Sequence, residues 1–249
     1  MEVLGIDVGG SGIKGAIVDL EKGALKTERI RYETPQPPTP KSVSETIAQI
    51  CRDHGWKGPM GVGFPAVVKN GITLTASNVD NAWIGAKAEK IISKATGNPV
   101  TMLNDADAAA LAEFHYGNWK LDRGLVIVIT VGTGLGTALI YNGTLIPNTE
   151  LGHLQLKKVG EAEKYAADSA RQRHHMSWKA WARRFNKYLE EMDFLFRPDE
   201  FIIGGGASKV GELFAKYLTV KTPVRMASLQ NEAGIIGAAL AAHLATTGQ

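Results

Sequence analysis

Cysteine is almost missing from this 249-residue chain, with Cys51 the only one. No internal disulfide can form, and thiolate metal clusters are excluded. Long hydrophobic runs are missing too, since none approaches the ~20 residues that span a bilayer. The opening Met1-Glu2-Val3-Leu4-Gly5 lacks a basic start followed by an apolar stretch, so export is not expected. These absences predict a protein of the reducing cytoplasm with no membrane partner. The first glycine loop also lacks a terminal Gly-Lys-Ser/Thr, so it is not a Walker A loop.

Hydrophobic residues make up 44% and charged residues 21%, the proportions of an ordinary globular chain. The length suffices for one large α/β domain or two lobes sharing a cleft. The net charge of +3 hides an uneven distribution. Arg171, Arg173, Lys179, Arg183, Arg184 and Lys187 fall in one window without Asp or Glu. That window carries +6 against +3 for the whole chain, so the remainder sums to −3. Most basic helix faces are merely solvated, but a positive patch on a slightly acidic protein also suits a polyanionic partner.

Two glycine-rich segments resemble one another. Leu4-Gly5-Ile6-Asp7-Val8-Gly9-Gly10-Ser11-Gly12 reads as a buried strand entering a tight turn, with strand character again at Ala16–Asp19. Val126–Val131, Gly132-Thr133-Gly134 and Leu135–Tyr141 repeat the plan. This weak duplication predicts two related lobes. Between them, Val43, Ile47, Ile50 and Cys51 fall at helical spacing, Met60–Val68 reads as a strand, and Ile84–Thr96 as a helix ended by Gly97. Val100–Leu103 predicts a short buried strand running straight into a helix over Asn104–Glu113 with acids at its start. Trp178, Trp181, Phe185, Tyr188, Leu189 and Met192 trace a helical stripe, read as core rather than a stacking platform. Phe201-Ile202-Ile203 leads into Gly204-Gly205-Gly206, and Glu232–Ala245 is an alanine-rich helix with Gly234 and Gly237 for close packing. The alternation predicts an α/β fold.

Gly10-Ser11-Gly12-Ile13-Lys14-Gly15 matches G-x-G-x-x-G literally, yet a strand follows it where a dinucleotide fold needs a helix. A better reading keeps Asp7: an acid at a strand end, a turn of backbone amides through Gly9, Gly10 and Ser11, and nearby Lys14 can hold a phosphate with its Mg²⁺. Thr130, Thr133 and Gly134 supply hydroxyls and amides for a matching second phosphate loop. Asn104-Asp105 stands at a strand's carboxyl end, where α/β proteins place ligands, so Asp105 suits a general base and Asn104 a contact to a sugar hydroxyl. Asp107 reads as an ordinary helix-start acid. Glu150-Leu151-Gly152-His153 offers a carboxylate and an imidazole for vicinal hydroxyls.

The ordered set Asp7–Lys14, Leu103–Glu113, Gly132–Gly136 and Glu150–His153 resembles the family of repressors, open-reading-frame proteins and kinases, and Gly204–Gly206 is similar to its nucleotide-side loop. The resemblance spans nearly the whole chain. It implies a two-lobed, actin-like α/β fold of the hexokinase superfold, with ribonuclease-H-like lobes and a hexose in a central cleft. It also implies Asp105 as base, Asn104, Glu150 and His153 as sugar ligands, and Asn78 as a further contact. The expected lobes are 1–103, completed by a C-terminal helix over 232–249, and 104–231 carrying the basic segment. A homodimer is implied by the resemblance alone.

Two departures matter. Family kinases commonly carry a cysteine-rich zinc motif after the Glu-x-Gly-His segment; no cysteine follows here, so His153 is not expected to bind zinc. The family's repressors carry an N-terminal DNA-reading motif, for which the phosphate loop beginning at residue 5 leaves no room. The stretch from Lys157 to Lys187 stands in place of the zinc motif. That stretch, with Leu229–Gly234, resembles the branch that phosphorylates glucose with inorganic polyphosphate, sometimes with ATP as well. The basic residues Arg183, Arg184 and Lys187 would then guide the anionic donor. The alternatives are a strictly ATP-dependent kinase of glucose, mannose or an N-acylhexosamine, and a sugar sensor without turnover, which would have no need of Asp105. A nucleic-acid partner is not expected, because the basic segment lacks exposed aromatic interleaving.

Overall fold

The structure is a computed structural model that describes residues 1–118 and 123–248. The chain divides into two compact units: Met1–Tyr116 with Glu232–Gln249, and Gly117–Asn231. Gln249, the last residue of the expected C-terminal helix, and residues 119–122 of the expected second lobe lie outside the described residues.

In the first unit, β1 (Glu2–Val8) and β2 (Ile13–Asp19) form an antiparallel hairpin in which Asp7 faces Lys14. Two short strands, β3 (Ala24–Leu25) and β4 (Ile30–Tyr32), pair with β2. β5 (Met60–Phe64) lies parallel to β1; β6 (Val68–Lys69) and β7 (Ile72–Thr73) make a separate hairpin, and β8 (Val100–Asn104) lies parallel to β5. The strand expected over Met60–Val68 stops at Phe64, because Pro65 has no N–H to give a ladder. Helix α1 (Pro40–Asp53) starts on a capping box in which Thr39 Oγ1 accepts the Ser42 N–H at 3.2 Å. Helix α2 (Ala88–Thr96) begins later than the expected Ile84, since Gly85 sits at φ 79°. It ends at Gly97 in the left-handed region, as expected. Helix α3 (Asp105–Tyr116) follows β8 without a linker.

The second unit repeats the plan. β9 (Leu125–Val131) and β10 (Leu135–Tyr141) form a hairpin extended by β11 (Thr144–Ile146). β12 (Gln155–Leu156) and β13 (Gly160–Glu161) form a small hairpin, followed by α4 (Ala162–Ala166), α5 (Asp168–Arg173) and α6 (Trp178–Phe196). β14 (Glu200–Gly205) joins β9 in parallel, α7 (Gly211–Phe214) follows, and β15 (Val224–Met226) completes the sheet. Both sheets thus carry an antiparallel hairpin followed by two parallel strands, in the orders β3-β2-β1-β5-β8 and β11-β10-β9-β14-β15. The aromatic stripe of α6 is core: Trp181 and Phe185 are fully buried, stack 4.9 Å apart and share one core with Ile127, Ile129 and Phe201. Burying such a side chain contributes about 1.5–3 kcal/mol, and the Trp181 indole donates to the Ala166 carbonyl at 2.9 Å.

The chain returns to the first unit as α8 (Ala233–Thr247). Its seat is written in an alternation of β5, Met60-Gly61-Val62-Gly63-Phe64. The large residues join the core with Val43 and Ile47 of α1, while the glycines face α8. A Cβ at Gly61 would stand 1.7 Å from the Ala238 carbonyl oxygen, and one at Gly5 2.0 Å from that of Ile235. Gly237 of α8 presses equally closely on Ala108 of α3. This packing draws α3 into the first unit, which corrects the boundary expected at residue 103: the division falls after Tyr116.

Candidate active site

In the first unit, the loop between β1 and β2 closes on itself through the Gly9 N–H donating to the Gly12 carbonyl at 3.0 Å. Thr34 Oγ1 donates to the Gly9 carbonyl at 2.5 Å and Arg31 Nη2 to the Ser11 carbonyl at 2.7 Å. With those carbonyls engaged, the loop's remaining polar backbone groups are mostly N–H donors. Gly10 lies against Asn78, which takes a left-handed φ of 60°, so Asn78 borders this loop. Lys14 Nζ reaches Asp7 Oδ2 at 3.3 Å, and Asp7 packs on Gly234 at the start of α8, where a helix favours an anion. Ser11 is exposed, while Asp7 and Lys14 are half-buried. Arg31 and Thr34 were not singled out from sequence, since only the β2–β4 register brings them to the loop.

Asn104 and Asp105 stand where β8 becomes α3. Asn104 is the cap: its Oδ1 accepts the N–H of Ala106 at 2.8 Å and of Asp107 at 3.3 Å, and one Nδ2 hydrogen goes to the Ala66 carbonyl at 3.2 Å. Its carbonyl oxygen is therefore engaged, and the second Nδ2 hydrogen is what it has to offer a ligand. Asp105 Oδ1 shares the Ala106 N–H at 2.8 Å, which fixes the carboxylate at the half-buried helix start. Asp107 turns into the core, 1% exposed.

In the second unit, the loop between β9 and β10 closes with the Gly132 N–H donating to the Gly134 carbonyl at 3.0 Å. Ser169 Oγ donates to the Thr133 carbonyl at 2.6 Å, and Glu163 Oε2 accepts the Leu135 N–H at 2.9 Å. Thr133 is exposed at the tip, and Thr130 lies in β9 opposite Gly136. The Glu150–His153 turn is clasped to β10: Thr149 Oγ1 donates to the Thr137 carbonyl at 3.0 Å, and the Leu151 N–H donates to Thr137 Oγ1 at 3.0 Å. Gly152 is required there, since a Cβ would stand 2.0 Å from the Leu135 carbonyl. The turn presents His153 between two carboxylates, Glu150 at 3.6 Å from Nε2 and Glu161 hydrogen-bonded to Nδ1. The Glu161 bond above all pushes the imidazole's pKa up from its ordinary 6.5. Glu161 itself is held low, first by Lys164 at 2.6 Å and then by His153. Neither Glu161 nor Glu163 was singled out from sequence, because the β12–β13 hairpin and α4 deliver them.

Among the described residues, no three His, Cys, Asp or Glu side chains gather into a metal-binding cluster. A Mg²⁺ held at Asp7 would have that single carboxylate, with the donor's phosphates and water as the remaining ligands, an arrangement this ion accepts. No helix among the described residues is long and apolar enough to cross a membrane.

Two units of one strand plan, each with a closed glycine hairpin, one bearing Asn-Asp at a helix start and the other an acid–histidine turn, define the class of actin-like sugar kinases. The ROK family pattern matches residues 3–164, and the chain belongs to the ROK family. A polyphosphate glucokinase of Mycobacterium tuberculosis is 50% identical over 244 residues, which cover 98% of this chain and 92% of that protein. The crystal structure of an inorganic polyphosphate/ATP-glucomannokinase from Arthrobacter sp. strain KM matches with a TM-score of 0.93 at 43% identity, covering 98% of this chain and 99% of that one. A ROK hexokinase from Thermus thermophilus matches over 100% of both chains with a TM-score of 0.74 at 26% identity.

Proposed function

We propose that this protein is a polyphosphate–glucose phosphotransferase, moving the terminal phosphoryl group of inorganic polyphosphate to the 6-hydroxyl of glucose to give glucose 6-phosphate, with ATP as a second donor. What carries the donor assignment is similarity over 98% of the chain to proteins named for polyphosphate use, at 50% and 43% identity. The reaction asks for positioning and charge neutralisation more than for covalent chemistry.

In this reading the carboxylate of Asp105, fixed by the Ala106 N–H, accepts the proton of the 6-hydroxyl as the hydroxyl oxygen attacks the terminal phosphorus, whose bond to the bridging oxygen breaks and releases a polyphosphate one unit shorter. Asn104 holds the helix start and donates its second Nδ2 hydrogen to a neighbouring sugar hydroxyl. Glu150 and His153 bind vicinal hydroxyls, and Asn78 adds a contact. The amides at Gly9, Gly10, Ser11, Thr133 and Gly134, with Lys14 and the Thr130 and Thr133 hydroxyls, hold phosphate oxygens. Mg²⁺ bound at Asp7 would supply charge neutralisation on the transferring group. The proposal extends to a cytoplasmic homodimer, for which exposed Phe194 and Leu195 on α6 offer apolar surface.

The test is glucose 6-phosphate formation in Mg²⁺ with nucleotide-free polyphosphate or ATP as sole donor. Turnover with polyphosphate supports the reading. Turnover with ATP alone replaces it with an ATP-dependent kinase, and mannose is the first other hexose to try. Silence with both donors and every hexose overturns it in favour of a sugar sensor.

A further inference from the structure

We propose that the groove bounded by the β12–β13 hairpin, α4 and α6 is a subsite for the phosphates of a polyphosphate chain beyond the one transferred. Arg184, Lys164 and His174 line it, and Lys187 stands one turn further along α6, against the Lys157 carbonyl of the hairpin. The subsite rests on the reading of the protein as a polyphosphate-using kinase.

The groove encloses about 510 Å3 and lies wholly within the second unit, lined by Gln155, Glu161, Lys164, Tyr165, His174 and Arg184. Arg184 stacks on the Tyr165 ring at 4.7 Å and donates to the Tyr165 carbonyl at 3.5 Å. Lys187, one turn further along α6, reaches the Lys157 carbonyl at 3.4 Å. Both are half-buried, and among the described residues neither has a carboxylate within 4.0 Å. A partly desolvated cation facing a neutral carbonyl or an aromatic ring has lost hydration without gaining a full counter-charge, and an anionic ligand supplies what is missing.

The neighbouring charges are otherwise engaged. Arg171 is held by Asp168 at 2.6 Å and lies over the Trp178 ring at 4.0 Å. The acid lining the groove, Glu161, is bound by Lys164 and His153, and Glu163 accepts the Leu135 N–H. Positions 184 and 187 share one face of α6, about 4.5 Å apart along its axis. His174 lines the same groove as Arg184, and the planar guanidinium suits phosphate oxygens. Glu161 also lines the groove and bonds His153, so a chain laid in it passes the turn proposed to hold the sugar.

The experiment compares the full-length protein with R184A/K187A and with the charge-preserving R184K/K187R. It measures KM for long-chain polyphosphate, tripolyphosphate, ATP and glucose, and direct equilibrium binding of long-chain polyphosphate, which needs no turnover. In R184A/K187A the KM and Kd for long-chain polyphosphate should rise roughly tenfold or more, as expected for losing two charge-assisted contacts. KM for tripolyphosphate, ATP and glucose should hold, and R184K/K187R should stay near the parent. An equal loss for all donors, no loss for the long chain, or single-stranded nucleic acid binding that survives saturating polyphosphate would overturn the subsite. A parent enzyme that binds the chain at this groove yet turns over only ATP defeats the proposed function and leaves the subsite standing. A parent that turns over polyphosphate but keeps its chain-length preference in R184A/K187A defeats the subsite alone.

Discussion

At the scale of single residues, the site depends on side chains whose freedom has been removed. Asp105 is fixed by the first amide of its own helix. Replacing it by Asn keeps that acceptor and the shape but removes the proposed base. Turnover of Asp105→Asn should fall by ~10²–10⁴ with glucose binding nearly unchanged, read by steady-state kinetics and calorimetric glucose titration. His153 is fixed by Glu161, which raises its pKa, while Glu161 itself is held low by Lys164 first and His153 second. The signs follow from linkage: stability from the raised histidine is fully present below its ordinary value and is lost as pH rises through the folded one, whereas that from the depressed carboxylate is present above its ordinary value and is lost as pH falls through the folded one. The pair therefore stabilises between those two limits. Glu161→Gln should lower the His153 pKa, measured by NMR titration of the ring proton, and the stability gap between variant and parent should narrow as pH rises past the His153 titration, leaving the part that Glu161 owes to Lys164.

Among the elements, α8 is the most demanding. Its backbone runs so close to β5 and α3 that Gly61, Gly5 and Gly237 have no room for a methyl group. The atoms in the way are backbone carbonyls, which cannot swing aside. Gly61→Ala should cost about 3 kcal/mol, at the upper end for overpacking, seen as a lower denaturant midpoint. Alanine at Gly132, with open space where a Cβ would stand, should cost far less. The alternation Met60-Gly61-Val62-Gly63-Phe64 announces a strand with one thick and one thin face, but not which helix fills the thin side. The β9–β10 hairpin is likewise legible as strand, turn and strand. The Thr137–Thr149 clasp and the Ser169 and Glu163 bonds that hold its neighbours in place are not, because their partners are 12 to 36 residues apart.

For the whole molecule, the uneven charge has a kinetic consequence. A chain of +3 that gathers +6 into residues 171–187 attracts a long polyanion through screened Coulomb forces, which fade beyond roughly 10 Å at 0.1 M salt. Under the proposed function, kcat/KM for long-chain polyphosphate should fall steeply as KCl is raised at constant Mg²⁺. The same parameter for glucose at saturating donor should change little. Equal sensitivity of both would assign the effect to general loss of structure, which circular dichroism across the same series would reveal.

The sequence by itself determined the hairpin strands and duplicated glycine turns of both units, the helix start at Asn104-Asp105 and the family. Each of these is set by neighbours in the chain: a short apolar run, a turn that needs glycine, a cap beside the helix it begins. Only the tertiary structure decided that α3 belongs with α8 in the first unit, that Arg31 and Thr34 brace one loop while Ser169 and Glu163 brace the other, and that His153 sits between Glu150 and Glu161. Those facts turn on register between distant strands and on how closely two backbones approach, and no local pattern encodes either.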